Sequence, residues 1–330
     1  GIKSDILVDL AAGDTVTVLE KLENWSKVKT QDAYIGYVEN KFLTGEMQAE
    51  RLCNTGFQEV VYNNVKKDGK INLVFHQVFE EVGGDYLASA LAPAKGVNVV
   101  APTWLRLTSN SGDIASLANA SYVAKAHELG IEVWALVTDV DSADLYGVEI
   151  DFVELLSSSA NRRHLIEGLM VQVDSYGLDG INIDYEGLPE ECGEHYVQFL
   201  KELSVWCREK GLILSIDSYV PFQFNNYYRL DIQGKVADYV IIMGYDEHWH
   251  GSGDPGSVAS ISYVSNGLDR TLQEEQVPAE KVVNALPFYT ILWQTEGAEV
   301  SDQYITLANV ADYLQRMNVQ PAWDEETCQN

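Results

Sequence analysis

The chain has few cysteines, few positive charges and no long apolar stretch. Among its 330 residues are only 4 cysteines, at Cys53, Cys192, Cys207 and Cys328. None forms a C-x-x-C pair, and no histidine lies at metal-ligand spacing from them, so we expect free thiols and no metal site. A glycine-rich phosphate loop is also absent, and no cofactor is predicted.

The lack of long apolar runs and the small number of positive charges make a membrane span and a nucleic-acid partner unfavourable. No run of about 18 apolar residues occurs, so we predict no membrane span. Lysine and arginine number 22 against 50 aspartates and glutamates, a net charge of −28. Nucleic acid and anionic membrane surfaces repel such a chain, and we expect no nucleic-acid partner. The sequence does not set the oligomeric state.

The first 47 residues have the pattern of a small β module. After a Gly13-Asp14 turn, short β-prone segments at 15–19, 25–30 and 35–38 alternate with polar breaks. Together they resemble a bacterial SH3 domain. The resemblance implies targeting to a cell wall or glycan, and a packing module without a ligand is an equal alternative. Residues 48–69 are polar and mixed, and we interpret them as a linker.

From residue 70 to 330, predicted strands alternate with predicted helices. Such alternation of apolar strands and helices predicts a parallel sheet covered by helices, here a TIM-type (β/α)8 barrel whose eighth strand is not visible in this chain. The expected strands are 71–79, 97–107, 131–138, one ending at Glu186, 212–219, 238–245 and 282–293. The expected helices are 85–92, 113–129 with Asp113 as cap, 161–176, 193–210, 257–275 and 306–317.

Functional side chains of this fold lie at the carboxyl ends of the strands. Polar and aromatic residues do cluster at these positions: Gln77, Trp104, Asp139, Glu186, Asp217, Tyr245, Asp246 and Tyr289. The stretch 176–187 carries the strongest signal. Alternation in a strand puts Asn182, Asp184 and Glu186 on one face, about 7 Å apart per step. Because one carboxylate disfavours ionisation of the next, we expect Asp184 to help keep Glu186 protonated, as a general acid requires.

Residues Asp179 to Glu186 resemble the D-G-x-D-x-D-x-E signature of glycoside hydrolase family 18, with Asn182 in place of one Asp. The likeness covers roughly residue 70 to the chain end. It implies retaining, substrate-assisted hydrolysis of β-linked N-acetylglucosamine. Glu186 would be the acid and then the base, and Asp184 would hold the substrate acetamido group. We expect Asn182 to hydrogen-bond Asp184 and to tune its proton sharing.

Two further motifs fit the same family. Met243-Gly244-Tyr245-Asp246 resembles its M-x-Y-D, which implies that Tyr245 donates to the acetamido oxygen, Asp246 binds sugar groups and Met243 packs beneath the sugar. Residues 286–293 resemble its strand-seven motif, although Ala285, Thr290 and Ile291 depart from it. Tyr289 would then line the site. Residues 296–330 resemble the start of the α+β insertion that many members carry.

The sequence does not decide which aromatic residues stack on the sugar rings. Trp104 and Trp293 are candidates because aromatic faces suit the apolar faces of sugar rings, and each is equally well explained as a core tryptophan. Gln77, at the end of the first barrel strand, is a further candidate for binding substrate.

The leading expectation is a secreted or cell-wall- or spore-associated enzyme that cleaves β-1,4 N-acetylglucosamine linkages in peptidoglycan or spore cortex. One alternative is a chitinase or endo-N-acetylglucosaminidase that acts on other glycans. Another is a glycan-binding protein with little or no turnover. In each case the partner is a polysaccharide that contains N-acetylglucosamine.

Overall fold

The computed structural model describes residues 4, 6–45, 64–297 and 299–329. The chain divides into two compact units, residues 1–60 and 61–330. Among the described residues, no helix has the length and apolar character needed to cross a membrane. Cys192, Cys207 and Cys328 are free thiols, as expected, whereas Cys53 lies outside the described residues.

The first unit contains a three-stranded antiparallel sheet. Its strands follow chain order: β1 (Val16–Lys21), β2 (Trp25–Thr30) and β3 (Ile35–Glu39). Val28 on the central strand is buried, and the buried Ser26 hydroxyl donates to Asn40 Oδ1 at 2.7 Å. The small sheet therefore combines one apolar contact layer with a hydrogen-bonded turn.

The second unit is built around a sheet of nine strands. They are β4 (Leu73–His76), β5 (Val99–Pro102), β6 (Leu105–Leu107), β7 (Ile114–Ser116), β8 (Glu132–Thr138), β9 (Gly180–Asp184), β10 (Ile213–Tyr219), β11 (Tyr239–Met243) and β12 (Val282–Ala285). Strands β4, β5 and β8 to β12 are parallel neighbours in chain order, and β7 pairs antiparallel with β6. This order confirms the predicted TIM-type barrel. The path ends at β4 and β12. The short β6 pairs parallel with β8 beside the path, and no strand closes the sheet between β12 and β4 in the described part of the chain.

Nine α-helices accompany the strands of this unit in its described residues. They are α1 (Gly84–Leu91), α2 (Ala120–Glu128), α3 (Ser142–Tyr146), α4 (Phe152–Ser157), α5 (Ser159–Tyr176), α6 (Gly193–Lys210), α7 (Leu230–Val236), α8 (Ile261–Asp269) and α9 (Leu307–Met317). The two long helices that flank β9 have clear boundaries. The Ser158 hydroxyl caps the start of α5, and Gly177 ends it with φ at 67°. Gly211 ends α6 in the same way, with φ at 68°.

The strand expected over 97–107 is divided into β5 and β6, and two further sequence-based boundaries are wrong. The helix expected from Asp113 begins later, because 114–116 forms β7 and the Asn119 side chain accepts from the N–H groups of Ser121 and Tyr122. The strand expected over 282–293 is interrupted near Pro287, which has no N–H to continue a ladder. Its second half is β13 (Tyr289–Glu296), which forms a hairpin with β14 (Glu299–Thr306).

The two faces of the barrel sheet carry different residues. Ile181 and Ile183 of β9 belong to the large apolar core shared with the helices. On the opposite face, a small separate cluster contains Val99, Trp134, Ile213 and Tyr239. A Cβ on Gly180 would lie 2.9 Å from the Trp134 ring, so the glycine makes room for this cluster. The polar residues of β9 follow Gly180 on that same inner face, since residues two apart share a face.

Candidate active site

Asn182, Asp184 and Glu186 follow one another along the inner face and carboxyl end of β9. Asn182 is 0% exposed, while Asp184 and Glu186 are half-buried. In the described part of the chain, none of the ion pairs involves these two carboxyls. Their charges are therefore balanced by hydrogen bonds and protons instead of by cations.

The Asn182 amide connects β9 to β10. Its Nδ2 donates to Ser215 Oγ at 2.9 Å and to Asp217 Oδ1 at 3.0 Å. The expected hydrogen bond with Asp184 is not formed among the described residues, and the amide nitrogen donates to acceptors on β10 instead. The Asn182 Oδ1 atom is buried and accepts no hydrogen bond from them.

The Glu186 carboxyl is held by a tyrosine of the neighbouring strand. Tyr219, the last residue of β10, donates its phenol to Glu186 Oε2 at 2.6 Å. Burial raises the pKa of Glu186, the Tyr219 hydrogen bond lowers it, and the charges of Asp139 and Asp246 raise it further. The net effect is a raised pKa, so the protonated form persists to higher pH than in water.

Asp139, directly after β8, fixes the backbone that carries the glutamate. Its two carboxyl oxygens accept from the N–H groups of Glu186 at 2.9 Å and Gly187 at 3.0 Å. A Cβ on Gly187 would lie 2.7 Å from Asp139 Oδ2, so only glycine permits this approach. The Tyr228 phenol adds a hydrogen bond of 2.9 Å to the carbonyl of Glu186. The loop after β9 is therefore restrained from two sides.

Asp184 has an environment that favours its neutral form. Burial raises its pKa well above the ordinary value, and the charges of Asp217, Glu186 and Asp139 raise it further, against a hydrogen bond with Thr138. The pKa of Asp217, which is 3% exposed, is likewise raised well above its usual range, first by burial. The cluster therefore retains protons at pH values where isolated aspartates are ionised.

A second group of residues follows β11. Asp246 has a left-handed backbone with φ at 58°, and its Oδ1 accepts from the Tyr289 phenol at 2.6 Å. Strained backbone of this kind is often found at functional sites. Tyr245 packs edge-on against Tyr289 with ring centroids 6.3 Å apart. Burial raises the pKa of the Tyr245 phenol, and the charges of Asp217, Asp184 and Glu186 raise it further.

The remaining predicted residues lie apart from these contacts. Met243, the last residue of β11, is buried and precedes Tyr245 by two residues. Trp104 is 0% exposed and packs edge-on against Tyr122 at 4.8 Å, which corresponds to the core alternative. Trp293 lies in the hairpin and donates to the Gly256 carbonyl at 2.9 Å. Gln77 is exposed just after β4.

Sequence reasoning assigned no role to Asp139 or Asp217, and it missed Tyr219 and Tyr228. The alternation of residues along β10 could have pointed to Asp217 and Tyr219. Asp217 and Tyr219 share one face of β10, which pairs parallel with β9, the strand that ends at Asp184 and leads to Glu186. Among the described residues, no group of three or more histidine, cysteine, aspartate or glutamate side chains could hold a metal ion.

Comparison with known proteins gives two family matches. The model of glycosyl hydrolases family 18 matches residues 146–330, more than half of the chain, and the bacterial SH3 domain model matches residues 1–44. The chain is 25% identical over 214 residues to the uncharacterized glycosylase YvbX of Bacillus subtilis, covering 62% of this chain and 60% of that protein. It is 25% identical over 175 residues to a cortical fragment-lytic enzyme of Bacillus anthracis, covering 52% of this chain and 39% of that enzyme.

A solved structure agrees with the architecture. The crystal structure of a chitinase from Chromobacterium violaceum superposes with a TM-score of 0.66 at 22% identity, covering 78% of this chain and 80% of that chain. At this identity the likeness shows the fold alone. The family match, the parallel barrel and the β9 signature agree: the chain belongs to glycosyl hydrolase family 18 and carries a bacterial SH3 domain at residues 1–44.

Proposed function

We propose that this chain is a retaining, substrate-assisted glycosidase that cleaves β-1,4 N-acetylglucosamine linkages in peptidoglycan or spore cortex. The observation that carries the proposal is the arrangement at the ends of β9 and β11. The half-buried carboxyls of Asp184 and Glu186 both have raised pKa values, and their charges also raise the pKa of the Tyr245 phenol. Neither carboxyl has a cationic partner in the described residues.

Glu186 is the proton donor of the first step. Its raised pKa favours the protonated carboxyl, which is the form that a general acid requires. The proton moves to the glycosidic oxygen as the bond from that oxygen to the anomeric carbon breaks. The carbonyl oxygen of the substrate's own acetamido group forms the new bond to the anomeric carbon, which gives an oxazolinium intermediate.

The second step reverses the role of Glu186. As a carboxylate, it removes a proton from the incoming water, whose oxygen attacks the anomeric carbon and releases the acetamido carbonyl. The Tyr219 hydrogen bond, which lowers the pKa of Glu186, stabilises this carboxylate. Burial raises the pKa of Glu186 and the Tyr219 hydrogen bond lowers it. This balance suits a carboxyl that acts as an acid in the first step and as a base in the second.

Asp184 and Tyr245 bind the acetamido group. Asp184 accepts a hydrogen bond from its N–H and stabilises the positive charge of the intermediate, and the Tyr245 phenol donates to its oxygen. Asp246, held by Tyr289, binds sugar hydroxyls or the acetamido group. Met243 packs below this position, and we retain Gln77 and Trp293 as candidates for more distant sugar contacts.

The choice of substrate rests on similarity. One relative is by name a cortical fragment-lytic enzyme, and the SH3 domain suits a protein held at a cell wall. We therefore propose a secreted or wall- or spore-associated location. We also propose residues 1–47 as the targeting module, 48–69 as linker and 70–330 as the catalytic barrel, with the start of an α+β insertion near 296–330.

The test is cleavage of purified peptidoglycan, spore cortex and chitooligosaccharides, with products identified by mass spectrometry. The unmutated chain should release fragments that end in N-acetylglucosamine with retained anomeric configuration. Glu186→Gln should abolish release. Glu190→Gln, at an exposed glutamate four residues further on, is the matched control and should cleave normally.

Other outcomes would select the alternatives. Cleavage of chitooligosaccharides without cleavage of wall material would reassign the substrate to chitin-like glycans. Inversion of configuration would refute the substrate-assisted mechanism. Thermal stabilisation by glycans without any cleavage would identify a glycan-binding protein.

A further inference from the structure

Asn182 separates two buried acids that cannot both be charged without cost. On one side its Nδ2 donates to Asp217 Oδ1 at 3.0 Å. On the other, Asp184 is two residues along the same face of β9. Asn182 and Asp217 are 0% and 3% exposed, so water has little access to the hydrogen bond between them.

Two oxygen atoms in this group lack a donor. Asn182 Oδ1 and Asp184 Oδ1 are both buried and accept no hydrogen bond from any described residue. A buried acceptor left without a donor is unfavourable, because it has lost its hydrogen bonds to water and gained none in return. One proton on Asp184 would serve both atoms, because its O–H could donate to Asn182 Oδ1. For this, the amide must keep its oxygen towards Asp184 and its nitrogen towards Asp217.

The charged groups around the two acids all favour retention of that proton. The facing titratable groups are Glu186 on β9, Asp139 after β8, Tyr219 on β10, Tyr245 and Asp246 after β11, and Tyr196 on α6. None of the ion pairs in the described residues brings a lysine, arginine or histidine to Asp184 or Asp217. A negative Asp217 is stabilised by its hydrogen bond from the Asn182 amide, and it repels a charge on Asp184.

We propose that Asp217 is a positioning residue that orients the Asn182 amide and thereby holds a proton on Asp184, the neighbour of the proton donor Glu186. Position 182 of β9 has an amide in place of the aspartate of the family signature, and Asp217 on β10 provides a carboxyl beside it. The Asn182 amide lies between Asp217 and Asp184 and couples the two carboxyls. Asp217 does not touch the reacting sugar in this scheme. The inference rests on the proposed function for its catalytic consequence, but the protonation of Asp184 can be measured without turnover.

The direct test is a carbon-13 NMR titration of a chain labelled at the aspartate carboxyl carbons. The Asp184 signal is identified by its loss in Asp184→Asn. Coupled acids titrate in steps that belong to the pair. In Asp217→Asn, we expect Asp184 to titrate in a single step, about one pH unit or more below its upper step in the unmutated chain.

The matched control is Asp179→Asn. It removes the same charge just before the opposite end of β9, where Asp179 accepts from the Val133 N–H at 2.8 Å. This variant should leave the Asp184 titration in place. An unchanged Asp184 titration in folded Asp217→Asn, or an equal shift in both variants, would overturn the proposal.

An interchange of the two side chains provides a second, independent measurement. The double variant Asn182→Asp with Asp217→Asn keeps one acid and one amide at the same two positions. We expect it to regain the high Asp184 titration that Asp217→Asn loses, and to be more stable than Asn182→Asp alone, in which three aspartates are adjacent. If the interchange gives no recovery of the Asp184 titration, Asp217 acts only as packing and the proposal is wrong.

The pH–rate profile separates this inference from the proposed function. If the unmutated chain cleaves glycan, the profile of Asp217→Asn should shift with the Asp184 titration, and the interchange should restore it. If no glycan is cleaved by any variant, the proposed function fails, while the NMR titration still decides the role of Asp217.

Discussion

The Tyr219 phenol donates a 2.6 Å hydrogen bond to Oε2 of Glu186, the proposed proton donor. A donor of this kind stabilises the carboxylate more than the acid, and the pKa of Glu186 is lowered by it while burial raises the same pKa. Two neighbouring strands thus set the pKa of Glu186 together. The carboxyl follows β9, and the Tyr219 phenol at the end of β10 limits how strongly this carboxyl holds its proton.

Replacement of Tyr219 by phenylalanine should raise the pKa of Glu186. Hydrogen bonds to charged groups contribute about 1.5–3 kcal/mol, which corresponds to roughly one or two pKa units. Because the first step needs protonated Glu186, the fall of kcat/KM at high pH should move upwards by that amount. Tyr228→Phe is the control, since Tyr228 donates to the backbone carbonyl of Glu186 and not to its carboxylate. An equal shift in both variants would contradict this assignment.

The buried acids should make the protein more stable in mild acid. A folded-state pKa raised above the unfolded value means that stability is fully present below the unfolded pKa and is lost as pH rises through the folded pKa. The pKa of Asp184 is raised well above its usual value. Thermal unfolding between pH 5 and pH 8 should therefore show a melting temperature that falls as pH rises.

Asp184→Asn should flatten that fall, because its side chain no longer loses a proton on unfolding. The exposed Asp144→Asn removes the same charge and controls for the net charge of −28. If the melting temperature of both variants depends on pH in the same way, the cause is repulsion among the many negative charges of the protein and not the protonation of Asp184.

Loss of the Tyr289 phenol should weaken substrate binding. Asp246 would lose the hydrogen bond that lowers its pKa, and its carboxylate would be less populated and less well oriented. We expect kcat/KM to fall about tenfold, equivalent to roughly 1.4 kcal/mol. Tyr304→Phe, at a ring 5.2 Å from Tyr289 in edge-on contact, serves for comparison and should have a smaller effect. Equal losses would indicate hairpin packing as the cause.

Gly187→Ala should damage activity more than stability. Its Cβ would meet Asp139 Oδ2 at 2.7 Å, which forces apart the contact that holds the Glu186 backbone. We expect at least a tenfold loss of kcat/KM, measured beside unfolding in denaturant. Gly168→Ala within α5 is the matched control: its Cβ meets Ile114 only at 3.9 Å, and the change should stabilise the helix by up to about 1 kcal/mol. Normal activity of Gly187→Ala would show that the close approach is not needed.

Much of the architecture follows from local sequence. The apolar alternation through Ile181 and Ile183 predicted β9, and the glycines after α5 and α6 predicted where those helices end. The carboxyl-terminal position of Glu186 followed from the parallel topology. Boundaries that depend on tertiary pairing did not follow: Ile114 joins a strand because β6 lies beside it, and Tyr289 joins a hairpin because β14 returns along it.

The sequence alone determined which strand carries the acidic side chains and that they share one face, because a strand has a period of two residues. Only the tertiary structure decided what those side chains contact. Asp217 and Tyr219 lie more than 30 residues from β9 in the chain, yet they hydrogen-bond to Asn182 and Glu186. Burial and neighbouring charge set the protonation of these groups, and both are properties of the folded barrel and not of any local stretch of sequence.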